Sequence, residues 1–215
     1  MKNNGLLIAF ACALVIGLVL IVFIWSVVPR QYVTTDLADY GNYVGNYDNQ
    51  SVQKFITSFF PKEIQENFFN VTYSYRAQKN DAYAFEAYLE FTIENVREYE
   101  EFIEQNTSGL ENKEFYYDES YTEYVISDEF YPTNDTEENN NPQENADIHI
   151  QSAKIGKILC SKEDQRIIYI ALGVYDGGIS TTDFLSVYFN RFHINPREYN
   201  KGQGAALSPC PAMSR

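Results

Sequence analysis

Residues 5–28, GLLIAFACALVIGLVLIVFIWSVV, are 24 consecutive positions without a charged side chain. At a helical rise of about 1.5 Å per residue the run spans about 36 Å, enough to cross a hydrocarbon core about 30 Å thick with some tilt. Nothing later in the chain repeats it, so the sequence predicts one membrane pass. A secretory h-region is shorter, about 7–15 residues, and ends in small residues before the cut. Here the exit reads Ser26-Val27-Val28-Pro29. The expectation is an uncleaved signal anchor. A lipid on Cys12 is disfavoured, because Ala9-Phe10-Ala11 is a poor lipobox. The flanking charges, Lys2 and Arg30, barely discriminate orientation. The short N-terminus and the long remainder place the N-terminus in the cytoplasm and the C-terminal part outside.

The predicted organisation follows from this run. Residues 1–28 are the cytoplasmic N-terminus and anchor, and 29–48 a polar connector that contains Tyr and Gly. Residues 49–200 are an extracytoplasmic domain and 201–215 a flexible tail. The run PTNDTEENNNPQENAD, residues 132–147, has no apolar pattern and reads as a mobile loop within the domain.

Inside the domain, hydrophobic periodicity separates helices from strands. Val52, Phe55, Ile56, Phe59 and Phe60 fall on one helical face, with Asp48 or Asn49 as the cap and Pro61 as the break. Residues 71–78 alternate, and Lys79-Asn80-Asp81 supplies turn chemistry.

The next segment, FEAYLEFTIENVRE (residues 85–98), sets a glutamate at every fourth position: Glu86, Glu90, Glu94 and Glu98. On a helix these would form a carboxylate stripe. As a strand, Tyr83, Phe85, Ala87, Leu89, Phe91 and Ile93 all share one face; as a helix, Tyr83 and Phe91 stray. Like charges at i, i+4 also destabilise a helix, and the aromatic and β-branched residues favour a strand. The segment is therefore read as a strand to Glu94 with its glutamates on a solvated face. Pairing with 71–78 sets Arg76 across from Glu86 in one of two plausible registers. Asn95 then caps a helix in a near capping box with Glu98, and Val96, Tyr99, Phe102 and Ile103 form its apolar face.

Residues 114–118 and 121–131 read as aromatic-rich strands. The run 148–160 switches its alternation midway, which predicts a bulge near Ser152 or Gly156. Residues 166–175, RIIYIALGVY, are apolar on both faces and predict a central strand covered on both sides. A last helix is expected from Ser180 or Thr181 to about His193. The fold class expected is α+β: a mostly antiparallel sheet with about three packed helices, behind a single N-terminal transmembrane helix.

Charge bounds the partners. The net charge is −14, and residues 81–147 carry 20 acids against Arg97 and Lys113 alone. Such a body repels nucleic-acid phosphate, so no nucleic-acid partner is expected. The expected partners are the membrane, through residues 5–28, and a protein of the cell envelope.

Motifs for chemistry are absent. Neither His149 nor His193 has an acid three residues before it, as a di-metal carboxylate bundle needs. On a strand the glutamates lie about 13 Å apart, too far for one metal ion. There is no nucleophile elbow, phosphate loop or Cys-x-x-Cys, and the acidic loop 133–147 lacks the glycine of an EF-hand. Cys160 is expected as a small buried hydrophobe, with pairing to Cys210 the lesser alternative. No catalytic, cofactor-binding or metal residue is assigned, and no cofactor is expected.

With 18 Tyr and 15 Phe, an exposed aromatic binding surface competes with the plainer reading that the aromatics fill the core. The sequence thus predicts a membrane-anchored extracytoplasmic module of the cell envelope. Its expected role is non-enzymatic, as an accessory domain that binds a protein or peptide. The alternative is an envelope hydrolase whose carboxylates only the fold brings together.

Overall fold

Alternation over residues 69–92 produces the first hairpin of the domain, and its register is the one that sets Arg76 opposite Glu86. The computed structural model describes residues 13–20, 30–41, 50–79, 83–116, 120–132, 149–175, 179–180 and 191–192. The chain divides into two compact units, residues 1–30 and 31–215.

In the first unit, residues 13–20 are helical (α1) and expose Leu14, Val15, Ile16, Leu18, Val19 and Leu20. Among the described residues no helix is long and apolar enough to cross a membrane. Of the segment 5–28, only 13–20 fall among them.

The second unit is α+β. Its strands are β1 (Arg30–Thr34), β2 (Phe69–Lys79), β3 (Tyr83–Thr92), β4 (Glu111–Tyr116), β5 (Ser120–Pro132), β6 (His149–Ser161), β7 (Arg166–Tyr175) and β8 (Ile179–Ser180). Its helices are α2 (Gln50–Thr57) and α3 (Val96–Thr107), with a 3-10 turn at Leu37–Asp39. The strands form one sheet in the order β1-β2-β3-β7-β6-β5-β4, with β8 paired to the start of β6. The pairings from β2 to β4 along this path are antiparallel.

β7 sits at the centre between β3 and β6, buried on both faces as its continuous apolar run requires. One face of the sheet carries α2 and α3. Tyr73, Tyr75, Phe85, Leu89, Phe91, Ile158 and Tyr169 pack there against Val52, Ile56 and Phe60. Phe68 stacks on Phe91 at 3.8 Å, and Phe102 of α3 meets both rings edge-on. The far face holds a second apolar cluster, including Tyr88, Tyr121, Phe130, Ile155, Leu159, Ile168, Ile170, Leu172 and Phe192.

Two register shifts lie where the alternation breaks. Between Val125 and Ser127 one extra residue of β5, Ile126, faces the Lys157–Gly156 step. Between Tyr131 and Pro132 the extra residue is Gln151 of β6, next to Ser152. Gly156 is needed at the first shift, because a Cβ there would lie 2.9 Å from the Phe55 ring and 3.3 Å from Ile126.

Within the connector 29–48, β1 lies beside β2, Tyr32 packs on Tyr75, and Tyr40 donates to the Pro61 carbonyl at 2.5 Å and packs edge-on against Tyr73. Two expectations change. The capping box at α3 is half closed. Asn95 accepts from the backbone N–H groups of Arg97 and Glu98, while the Glu98 carboxylate turns outward and accepts from Asn67. Ser180 is a strand residue, and most of the predicted helix 180–193, like Asp48, Asn49 and loop 133–147, lies outside the described residues.

Candidate functional site

Strand pleating sends Glu86, Tyr88 and Glu90 to the far face of β3, and that face is covered. Glu86 is 1% exposed, so the solvated carboxylate face expected from the sequence is overturned. The physical reason is the neighbouring strands: Glu86 lies between Arg76 of β2 and Leu172 of β7. A buried carboxylate is tolerated beside a base. Glu90 accepts two hydrogen bonds from the Arg191 guanidinium, 2.7 and 2.9 Å, with Arg166 Nε 3.6 Å away. Tyr88 donates to the same carboxylate at 2.8 Å. Desolvation pushes the Tyr88 phenol well above its ordinary value, and the adjacent Glu90 adds to the effect. Arg191 also lies over the Tyr88 ring, 5.8 Å from its centroid. Glu90 is thus a structural anion that clamps residue 191 onto the sheet.

A second charged group lies on the same face across the central strands. Lys157 and Glu123 are both fully buried, with Lys157 Nζ 2.6 Å from Glu123 Oε1. Asp128 lies 3.6 Å from Lys157, and Lys113 3.6 Å from Glu123. Neither Glu123 oxygen sits in an aligned hydrogen bond, so the contact is ionic. This pair was not anticipated from the sequence. Its signal was present: Lys157 alternates with the apolar Ile155 and Leu159, and Glu123 lies between the aromatics Tyr121 and Tyr124. A lysine on a buried face requires an acid.

The helix face differs. α3 is a ridge with a cleft on each side. The larger groove, about 880 Å³, runs between α3 and the segment that leaves α2. Phe59, Phe102 and Ile126 line its apolar part, and Gln65, Asn67, Gln105, Glu98 and Glu101 supply amides and carboxylates. The smaller cleft, about 430 Å³, lies on the opposite flank of α3, against β5 and β6.

Cys160 lines the smaller cleft. It is buried, as expected, and desolvation pushes its thiol up to about 12. Such a thiol is inert as a nucleophile at neutral pH. Burial likewise raises the phenols of Tyr99 and Tyr169. The aromatics whose burial is described go mainly to the core, while Tyr131 is exposed. His149 opens β6, and His193 lies outside the described residues. Among the described residues no three His, Cys, Asp or Glu side chains come together as a metal site.

No family model matches the chain, and neither a curated protein nor a solved structure matches it.

Proposed function

We propose that this chain is a single-pass membrane-anchored module whose α+β domain stands on the extracytoplasmic side and binds a protein or peptide partner in the groove between α3 and the segment that leaves α2. The observation that carries the reading is the groove itself. It sets a few apolar side chains, Phe59, Phe102 and Ile126, among amides and carboxylates, a mixture that suits a polypeptide better than a purely apolar ligand. The anchor rests on the apolar run of residues 5–28, of which the described residues, 13–20, are helical and expose their apolar side chains.

Hydrolysis has less support. It needs two carboxylates held in different protonation states within one cleft. Here the far-face carboxylates Glu90 and Glu123 are each ion-paired.

The test is affinity capture of the full-length protein from its native membrane, with wild type set against Glu98→Lys/Glu101→Lys. A partner enriched by wild type and lost from the variant is expected. Equal recovery on both, or nothing above an anchor-only control, overturns the groove as the binding surface. Protease treatment of intact cells tests topology: protection of residues 50–200 overturns the exported placement.

A further inference from the structure

The smaller cleft has a chemistry of its own. Tyr99, Ile103, Tyr124 and Cys160 line it, with Glu100 and Glu104 from α3 and Lys162 from the β6–β7 turn. We propose that this cleft is a binding site for a small organic monocation, a primary or quaternary ammonium compound.

Size comes first. About 430 Å³ lies within the usual range of small-molecule pockets, about 300–1,000 Å³, and is too small for a folded partner. The walls come second. Tyr99, Tyr124 and Cys160 contribute to the lining, aromatic and polarizable groups of the kind that attract an alkylammonium group. Burial keeps this surface neutral: desolvation, then Cys160, Tyr124 and Glu100, raise the Tyr99 phenol, and desolvation raises the Cys160 thiol to about 12. Cys160 is 4% exposed and not in a disulfide.

Charge decides the class. The lining holds two acids against one base. The base, Lys162, is largely exposed and lies 3.4 Å from Glu100. Among the described residues no base is within ion-pair distance of Glu104, so that carboxylate is the counter-ion for the guest. An anionic ligand would meet both glutamates at the mouth. A neutral ligand would leave Glu104 without a role.

This site is separate from the larger groove, because α3 stands between them. Glu98 and Glu101 face one side, and Glu100 and Glu104 the other.

The experiment uses the full-length chain in a nonionic detergent, with calorimetry and NMR of ring-labelled tyrosines. The probes are choline, tetramethylammonium and the neutral isostere 3,3-dimethylbutan-1-ol. Saturable binding of both cations is expected, with the largest shifts at Tyr99 and Tyr124. The isostere should bind at least about fivefold more weakly. Glu104→Gln, an isosteric change at an exposed position, should weaken cation binding about fivefold, and Glu98→Gln should leave it unchanged. Equal binding of the isostere overturns the proposal. So does the absence of saturation at about 50 mM, a limit that corresponds to negligible affinity. An equal loss in Glu98→Gln also overturns it, by showing diffuse attraction to an acidic surface instead of a site.

Discussion

Removing the ammonium of Lys157 should unfold this protein more readily than almost any other single change to a polar side chain. Lys157→Met retains most of the side-chain volume but leaves Glu123 fully buried beside one remaining base, Lys113, 3.6 Å away and 37% exposed at its side chain. Breaking a buried ion pair by truncating one partner costs about 3–5 kcal/mol, because the other charge stays desolvated. With a urea m-value of about 2 kcal/mol/M, the midpoint should fall by about 1.5–2.5 M. Total stability is about 5–15 kcal/mol, so the variant will be marginal at 37 °C. Replacing both partners, Glu123→Leu/Lys157→Met, removes the fully buried carboxylate and leaves only Asp128, 12% exposed at its side chain, without Lys157, so the midpoint should recover by at least about 1 M. The assay is urea unfolding of the full-length chain in detergent, followed by far-UV circular dichroism. A single-variant loss below about 1 kcal/mol would refute the reasoning, since that is the size of a solvated surface pair. A double variant no more stable than the single would refute it too.

Three further outcomes are expected. Gly173→Ala should cost about 1–3 kcal/mol by overpacking, measured as a lower thermal midpoint, because its Cβ would overlap the Phe85 ring and lie 2.9 Å from Tyr175 Cε2. In a Cys12→Ser/Cys210→Ser chain, iodoacetamide at pH 8 should modify Cys160 at least about 100-fold more slowly in the native protein than in urea, since its thiol is buried and pushed up to about 12. The phenols of Tyr88, Tyr99 and Tyr169 are raised above their unfolded value. Their contribution is therefore complete below about pH 10 and is lost as pH rises beyond it. The urea midpoint should stay flat with respect to these groups below about pH 9 and fall above about pH 10, with the buried phenols ionising at 295 nm only as the chain unfolds.

Period-two reasoning carried far in this chain. It separated β3 from a helix, made Arg76↔Glu86 one of two candidate registers, and pointed to a bulge near Ser152 or Gly156, where the β5–β6 ladder slips; the slip between Phe69 and Thr72 it did not mark. It also placed β7 in the middle, because no other ten-residue segment of the domain is apolar on both faces. Asn95 was legible as a cap because the next apolar residues change period there.

The failures share one cause. Alternation tells which side chains share a face, and it does not tell whether a second layer covers that face. Glu86 and Glu90 alternate with apolar residues just as solvated glutamates would. Their burial depends on Arg76, Arg166 and Arg191, two of which lie more than 70 positions away. The clefts were illegible for a related reason: each is the space between α3 and elements that are distant in sequence. β1 was missed because five residues of mixed polarity carry too little periodic signal, and its packing partner is a tyrosine of β2.

The central position of β7 has a consequence for how the protein is made. Thr92 of β3 pairs with Arg166, 74 positions later. At about 5–20 residues per second, the ribosome finishes β3 roughly 4–15 s before it reaches β7. Throughout that interval the β2–β3 hairpin keeps an open hydrogen-bonding edge, and the β4–β5–β6 meander, complete only at Ser161, adds a second just before β7 arrives. The strand that closes both is also the one with the greatest tendency to self-associate: RIIYIALGVY has no charge after its first residue and no proline. Biogenesis of this protein therefore depends on holding two half-sheets apart from other chains until a late, sticky segment joins them. A chain that ends before residue 166 would be left with both edges permanently open.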